Sequence, residues 1–281
     1  MPVDEDGNPK HVSFKNLNKK LRVPFVVYTD CKCLTESINT CTTDESKSYT
    51  KQYQKHKPSG FCYLIKCFDD ELFTPKLEKY TGESPDDNIS QRFVDSLESD
   101  IKRICKTIKP NKFLRKTLED DIAFKNATHC HICEGELANN KVMDHCHFTG
   151  RYRGAAHNEC NLAFEVPKFF PVLLHNLSGY DAHLFIKSLN SSEGKISCIP
   201  NNEEKYISFT KEIVVGTYKN KEGKQKEDKR DIRFIDSFRF MATGLGSLAF
   251  NLPKEAFKNL AVSYEGEQFE LLFQEEGCLP I

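Results

Sequence analysis

The sequence lacks a surplus of charge of either sign, since 40 basic side chains face 41 acidic ones in 281 residues. A balanced chain has no global positive field to attract nucleic acid, so any such contact must come from local sites. The sequence also lacks an apolar run long enough to cross a bilayer. Its start, MPVDEDGNPKHV, is too polar for a signal peptide. We therefore expect no membrane partner and an intracellular protein.

Twelve cysteines are present, but they lack the regular framework of a disulfide-rich secreted domain. We expect a reducing compartment and mostly free thiols. Four cysteines outside the Cys/His-rich stretch are interpreted as buried structural residues: Cys62, Cys67, Cys105 and Cys198.

Strand patterns mixed with helix patterns indicate the α/β class. Apolar runs typical of buried strands lie at 24–28, 61–67 and 169–175, and further strands are expected at 205–210, 212–218 and 231–236. Residues 36–59 are expected to form a loop, and 219–230 a charged, solvated loop or hairpin tip.

The clearest helix is expected over residues 85–108. Ser84 is a good N-cap, Pro85 suits the first helical position, and Asp87 completes a capping box. Six apolar residues keep one face of this helix: Ile89, Phe93, Leu97, Ile101, Ile104 and Ile108.

Two pairs of metal-ligand residues stand close together in the sequence. Cys130 and Cys133 form one pair, and His157 and Cys160 repeat the same spacing. Tetrahedral zinc takes four such ligands and leaves no open position, so this zinc is expected to be structural. An alternative set that uses His129, His131, His145 or His147 is less regular.

Between the two pairs, 142–148 and 151–155 are expected to form a hairpin around Thr149-Gly150, and 158–165 to begin a helix. Asp144 and Asn161 then offer oxygen ligands to magnesium or manganese. His145 is the candidate base that deprotonates an attacking water, and His147 would support the phosphate or orient a ligand.

The run Asp144-His-Cys-His-Phe-Thr-Gly150, continued by Arg153-Gly154 and closed by Cys160-Asn161, resembles the recombination endonuclease VII group of His-Me finger nucleases. The resemblance covers roughly residues 128–163. It implies a zinc-stapled ββα-metal module that binds branched DNA, with Arg153 at the DNA and His145, Asp144, Asn161 and His147 as catalytic residues. His157 stands where that group often has a cysteine. The rival interpretation is a zinc knuckle without catalysis.

Acidic residues also follow two predicted strands, Asp30 after the first and Asp181 after the run 169–175 and a turn. Carboxylates at strand ends suggest a two-metal exonuclease. Each acid alone is weak evidence, because such residues are usually caps or solvated. Asp236 is expected to be a strand-end cap, and no histidine partner is suggested for Ser237.

The stretch His175-Asn-Leu-Ser-Gly-Tyr-Asp181 resembles the second exonuclease motif of protein-primed family B DNA polymerases, and Phe25-Val-Val-Tyr-Thr-Asp30 resembles the first. From about residue 20 onward the chain resembles the N-terminal part of Polinton/Maverick-type transposon polymerases. This resemblance implies a ribonuclease-H-like frame in which Asn176 and Tyr180 contact single-stranded DNA, by stacking and by contacts to sugar and phosphate.

Lys32 stands where the first motif has its glutamate, and a lysine cation repels a metal. The third exonuclease motif and the polymerase signatures are not seen before Ile281. We therefore expect a degenerate exonuclease site at Asp30, Lys32 and Asp181, with neither polymerisation nor proofreading.

The expected organisation is a polar leader at 1–20 and an incomplete exonuclease-like domain at 21–125 and 167–281, which is interrupted by the zinc module at 126–166. Its expected partners are branched or single-stranded DNA, and the remaining polymerase domain or a terminal protein. The nucleus suits such a protein better than the cytoplasm. The alternatives are a non-catalytic, zinc-stabilised DNA-binding remnant and a standalone homing-type nuclease, whose residues 120–170 would cut alone.

Overall fold

The structure is a computed structural model that describes residues 22–38, 54–84, 86–138, 140–201 and 206–259. It divides into two compact units. The first, here called the module, contains Ile108–Pro167, and the second, the sheet unit, is built from Phe25–Thr107 and the chain from Lys168 onward. The module begins before residue 126, where the sequence prediction placed its boundary. Among the described residues, no helix is both long and apolar enough to span a membrane.

Strands and helices are mixed along the chain, and the prediction of a mixed α/β class is confirmed. The strands in the described residues are β1 (Phe25–Ser37), β2 (Gln54–Cys67), β3 (Lys76–Thr81), β4 (Lys141–His145), β5 (Tyr152–His157), β6 (Phe169–Leu174), β7 (Ile196–Pro200), β8 (Tyr206–Lys219) and β9 (Gln225–Asp236). The α-helices are α1 (Ile89–Thr107), α2 (Leu118–Asn126), α3 (Asn158–Ala163), α4 (Ala182–Phe185) and α5 (Leu245–Phe250).

The sheet unit is built on seven strands in the order β3-β2-β1-β6-β9-β8-β7. The three central strands β1, β6 and β9 are parallel, and the strands on either side of them join antiparallel. Because the carboxyl ends of parallel strands meet at one edge, Asp30 of β1 and the turn after β6 come to the same end of the sheet.

The core of the sheet unit lies between this sheet and one face of α1. Five of the six apolar residues predicted for that face are buried: Ile89, Phe93, Leu97, Ile101 and Ile104. The rings of Phe93 and Phe185 meet edge to face with their centroids 5.0 Å apart. Burial of this stripe, rather than helix propensity, stabilises α1.

The start of α1 was predicted wrongly. The helix begins at Ile89, and Asn88 Oδ1 accepts the backbone N–H of Gln91 as its cap. Asp87 instead accepts the backbone N–H groups of Glu83 and Ser84 before the helix. Pro85 lies outside the described residues.

Two loop predictions were wrong in extent, and one burial prediction was wrong. β1 continues to Ser37 and β2 starts at Gln54, so both ends of the predicted loop 36–59 are strand. Residues 39–53 lie outside the described part of the chain. β8 runs on to Lys219 and β9 begins at Gln225, so most of the predicted loop 219–230 is strand as well. Cys198 was predicted buried and is exposed.

The module contains the predicted hairpin, formed by β4 and β5, and the short helix α3. Its turn depends on Gly150, whose φ of 78° lies in the left-handed region. A Cβ added there would also come within 2.5 Å of the Phe113 carbonyl oxygen. The segment after Ile108 lines this turn, since Arg115 N donates to Gly150 O and Lys112 N to His147 O.

Helix α2 was not predicted, although its start carries a capping box in the sequence. Thr117 Oγ1 accepts the Asp120 N–H, and the Asp120 carboxylate accepts the Thr117 N–H. Both interactions satisfy backbone donors that the helix leaves open.

Candidate metal centre and nuclease site

The four predicted zinc ligands of the module converge. The ligand atoms of Cys130, Cys133, His157 and Cys160 all lie within 4.8 Å of one another. His157 Nδ1 is 3.4 Å from Cys133 Sγ and 3.9 Å from Cys160 Sγ. These separations fit ligands of one tetrahedral zinc, for which roughly 3.6 Å follows from the Zn–S and Zn–N bond lengths. The Cys₃His cluster indicates a zinc site.

The surroundings of the four ligands suit a cation. His157 donates its Nε2 proton to Glu136 O at 2.8 Å, because a carbonyl only accepts, so Nδ1 faces the thiols with its lone pair. Burial opposes ionisation of Cys130, but backbone N–H groups of Cys133, His157 and Ile132 lower its pKa to about 6. Burial and the neighbouring thiols raise the pKa of Cys160 to about 11, a repulsion that a dication would reverse.

The alternative zinc set is not assembled, because the other histidines of the module have other partners. His131 Nε2 lies 2.9 Å from Asp144 Oδ2, and His129 Nδ1 lies 2.9 Å from Thr128 Oγ1. His145 and His147 stack on each other with their centroids 4.7 Å apart and their planes at 7°.

Asp144 is the fully buried centre of an ion pair. Its side chain is 0% exposed, and Arg153 donates to both carboxylate oxygens, from Nε at 2.7 Å and from a terminal nitrogen at 2.6 Å. Burial alone would raise the pKa of Asp144, but His131 and Arg153 hold it below its ordinary value of 3.8. Asp144 is therefore an ionised carboxylate that holds the side chains of Arg153 and His131 in place.

The two partners of Asp144 are themselves packed in place. The Arg153 guanidinium lies 4.8 Å from the centre of the Phe164 ring. The His131 ring lies against Gly154, where an added Cβ would come within 2.7 Å of His131 Cγ. Arg153 was predicted to contact DNA, and here its guanidinium holds Asp144.

His145 presents one ring nitrogen for chemistry. Its Nε2 lies 3.2 Å from Lys112 O and is the donor, because a carbonyl has no proton to give. Nδ1 of the neutral ring then carries the lone pair. The neighbouring His147 is exposed as a whole residue, but partial desolvation of its ring, followed by the His145 charge, lowers its pKa.

Magnesium binding at Asp144 and Asn161 stays a prediction. Three protein hydrogen bonds reach the buried Asp144 carboxylate, two from Arg153 and one from His131 Nε2, so an ion there would share this carboxylate with Arg153. Asn161 lies within α3, close to the zinc ligand Cys160 in sequence.

The family model of recombination endonuclease VII matches residues 107–174. This stretch of the chain is endonuclease VII-like. The match includes the segment around Lys112, which the sequence resemblance did not cover. No curated protein and no solved structure matches the chain. An endonuclease VII-like module indicates a nuclease that binds DNA.

The sheet unit contains a separate group of acids beside a cavity of about 380 Å³, whose lining includes Asp30, Lys32, Asn176, Tyr180 and Asp181. Burial, followed by the charges of Asp30 and Asp236, raises the pKa of Asp181 to about 7. Burial also raises the pKa of Asp30, opposed by Lys32, whose Nζ is 3.4 Å from Asp30 Oδ2. Asp181 is thus about half protonated near pH 7, and Asp30 is paired with a lysine.

Asp236 is confirmed as a cap, since its carboxylate accepts the backbone N–H groups of Asn176, Ser178 and Phe238. The prediction that Ser237 has no histidine partner is wrong, because His175 Nδ1 lies 3.0 Å from its hydroxyl. Ser237 is buried, and its hydroxyl donates a hydrogen bond to Leu174 O at 3.1 Å. The pair connects the ends of β6 and β9.

Sequence reasoning missed a cluster beside this cavity. Tyr180 Oη contacts Cys33 Sγ and lies 2.6 Å from His56 Nδ1. The register of β1 and β2 places Thr35 opposite His56, so His56 lies diagonal to Cys33. The sequence carried no signal for it, because Cys33 and His56 are far apart in the chain and the loop prediction covered His56.

Proposed function

We propose that the module is a DNA endonuclease that hydrolyses phosphodiester bonds, with His145 as the general base. The proposal depends on the His145 ring, whose Nε2 donates to Lys112 O and whose Nδ1 is left to accept a proton. The match of residues 107–174 to recombination endonuclease VII supports DNA as the substrate.

In this proposal, His145 Nδ1 takes a proton from the attacking water. His147 stacks on the His145 ring and limits its rotation. Asp144 positions the active strand, because its carboxylate holds Arg153 of β5 and His131 across the fold. Magnesium or manganese, when bound, would neutralise charge on the scissile phosphate.

We expect His145→Ala to lower the nicking rate of a branched DNA by roughly 10²–10⁴-fold, the usual contribution of a general base. The assay compares the full chain with and without magnesium and records zinc content for each variant. His129→Ala is the matched control, because His129 belongs to the same module but contacts Thr128.

Loss of cutting with unchanged zinc content supports the proposal. Equal cutting by wild type and His145→Ala would refute the role of His145. Absence of cutting by both would favour the zinc-stabilised DNA-binding remnant.

We further propose that the sheet unit is the degenerate, ribonuclease-H-like exonuclease frame of a mobile-element family B DNA polymerase, acting in the nucleus. The strand order β3-β2-β1-β6-β9, with β1, β6 and β9 parallel, supports such a frame. Its cavity would receive single-stranded DNA at Asn176 and Tyr180. A polymerase domain or a terminal protein would be its partner.

The purified chain is expected to incorporate no nucleotide and to remove none from a DNA 3′ end. Lys32 balances Asp30, and Asp181 is half neutral near pH 7, so the pair offers two metal ions little negative charge. Primer extension and 3′-end digestion with magnesium test this. Measurable incorporation or 3′ digestion that persists after His145→Ala would contradict it.

A further inference from the structure

Strands β8 and β9 extend past the rest of the seven-stranded sheet as a two-stranded arm, defined here as residues 213–230. β7 pairs with β8 only up to Lys211, and β6 pairs with β9 only from Asp231 onward. Beyond these points β8 and β9 pair with each other and with no other strand in the described ranges. Residues 213–219 alone span about 24 Å at roughly 3.4 Å per residue.

The outer part of the arm contributes nothing to the core. Ile213 and Val215 are buried at its base, but every residue from Gly216 to Glu227 is exposed except the half-buried Asn220. A two-stranded ribbon with both faces in water is only marginally stable by itself. Packing therefore does not explain why the arm is this long.

The tip of the arm is nevertheless well formed. Asn220 N donates to Lys224 O at 2.9 Å, and Asn220 Oδ1 accepts the N–H groups of Glu222 and Lys224. Gly223 takes the left-handed φ of 77° that the turn requires. The turn therefore presents the neighbouring side chains in a defined arrangement.

The tip of the arm is rich in basic residues. The eight residues 219–226 hold four lysines and one acid: Lys219, Lys221, Lys224, Lys226 and Glu222. Glu222 lies 3.5 Å from Lys224 in a pair that is more than two-thirds exposed on both sides. The other two acids of the arm form salt bridges with basic residues where the arm joins the sheet, Glu227 with Lys229 and Asp228 with Arg230. Lys219, Lys221 and Lys226 form no salt bridge with any residue that the structure describes.

We propose that this arm binds the phosphate backbone of double-stranded DNA. A projecting β-ribbon fits the width of the major groove of B-DNA, and lysines neutralise phosphates without reading sequence. The chain as a whole carries a net charge of −1, so attraction to DNA has to come from local positive surfaces such as this arm. The inference rests on the proposed function for its substrate and adds the surface that holds it.

The test measures binding of the full chain to a short blunt DNA duplex over a series of salt concentrations. One variant replaces the four arm lysines by glutamine. The matched control replaces four exposed lysines elsewhere in the sheet unit by glutamine: Lys55, Lys106, Lys187 and Lys195. The slope of log K against log salt should shrink by about 0.9 for each arm lysine that meets a phosphate, and by up to about 3.6 for four.

A smaller slope and weaker binding in the arm variant, but not in the control variant, support the proposal that the arm binds DNA. Equal slopes in the arm and control variants would overturn it, because the lysines would then only keep an exposed ribbon soluble. Absence of duplex binding by the wild-type chain would overturn it as well. The nuclease proposal fails separately, because His145→Ala leaves the arm intact and is judged by cutting rather than by binding.

Discussion

Removal of zinc is expected to unfold the module while the seven-stranded sheet stays folded. The buried apolar core around the cluster is small, with Cys130, Ile132 and Ala156 at its centre and two of the ligands packed against it. Structural zinc contributes about 10–16 kcal/mol in comparable zinc-finger peptides, far more than such a core provides. Amides of β4 and β5 should lose protection against hydrogen exchange when a strong chelator is added to the full chain.

Cys133→Ser should reproduce the effect of chelation, because it removes one of the four ligands. Cys146→Ser is the matched control, since Cys146 lies in the same module but outside the cluster. Zinc content by atomic absorption accompanies each exchange measurement. A metal-free chain that keeps full protection in 130–160 would show that the four side chains do not share an ion.

Asp144→Asn is expected to destabilise the module by about 3–5 kcal/mol, the usual effect of removing one partner from a buried ion pair. The amide cannot match the paired hydrogen bonds from Arg153, which would be left largely buried without a counter-charge. Hydrogen exchange of β4 and β5 gives the local unfolding free energy. Asp144→Asn combined with Arg153→Gln should lose less than the sum of the two single variants.

Asp121→Asn is the control for this pair. Asp121 accepts from Lys116 at 2.8 Å in the same module, but the pair is exposed to solvent. Such pairs contribute about 0–1 kcal/mol. Equal losses for Asp144→Asn and Asp121→Asn would contradict the anchoring role of Asp144.

The pH dependence of the same pair has a definite sign. Because the folded-state pKa of Asp144 lies below its ordinary value of 3.8, its contribution to stability is fully present above about pH 5. It is lost as the pH falls through the lower, folded-state pKa. The difference between wild type and Asp144→Asn should therefore stay constant from neutral pH down to about pH 5.

The spacing of the cysteines and the histidine made the zinc cluster predictable from the sequence. The partners of Asp144 were not predictable in this way. Two Cys/His pairs with two intervening residues place ligands on tight turns whatever the surrounding fold. Arg153 is the extra residue of a β-bulge in the hairpin, since Gly154 pairs with Asp144 and Tyr152 with His145. A bulge re-aims the side chain of its extra residue, and Arg153 thereby reaches Asp144. His131 meets the same carboxylate only through tertiary packing, for which the sequence carries no local mark.

The arm shows why the outer parts of β8 and β9 were not predicted as strands. Strand prediction depends on apolar residues that alternate with polar ones, and this alternation exists only where one face is buried. Residues 225–230 are charged on both faces, so their pattern matched a loop. The edge strand β3 was missed for a similar reason, since none of its residues is buried and its half-buried positions hold Lys76, Glu78 and Tyr80.

The module joins α1, which ends at Thr107, to β6, which begins at Phe169, and no strand of the large sheet comes from it. A gene that lost codons 108–167 would still encode every strand of that sheet. The module can therefore be gained or lost without removing any strand of the large sheet.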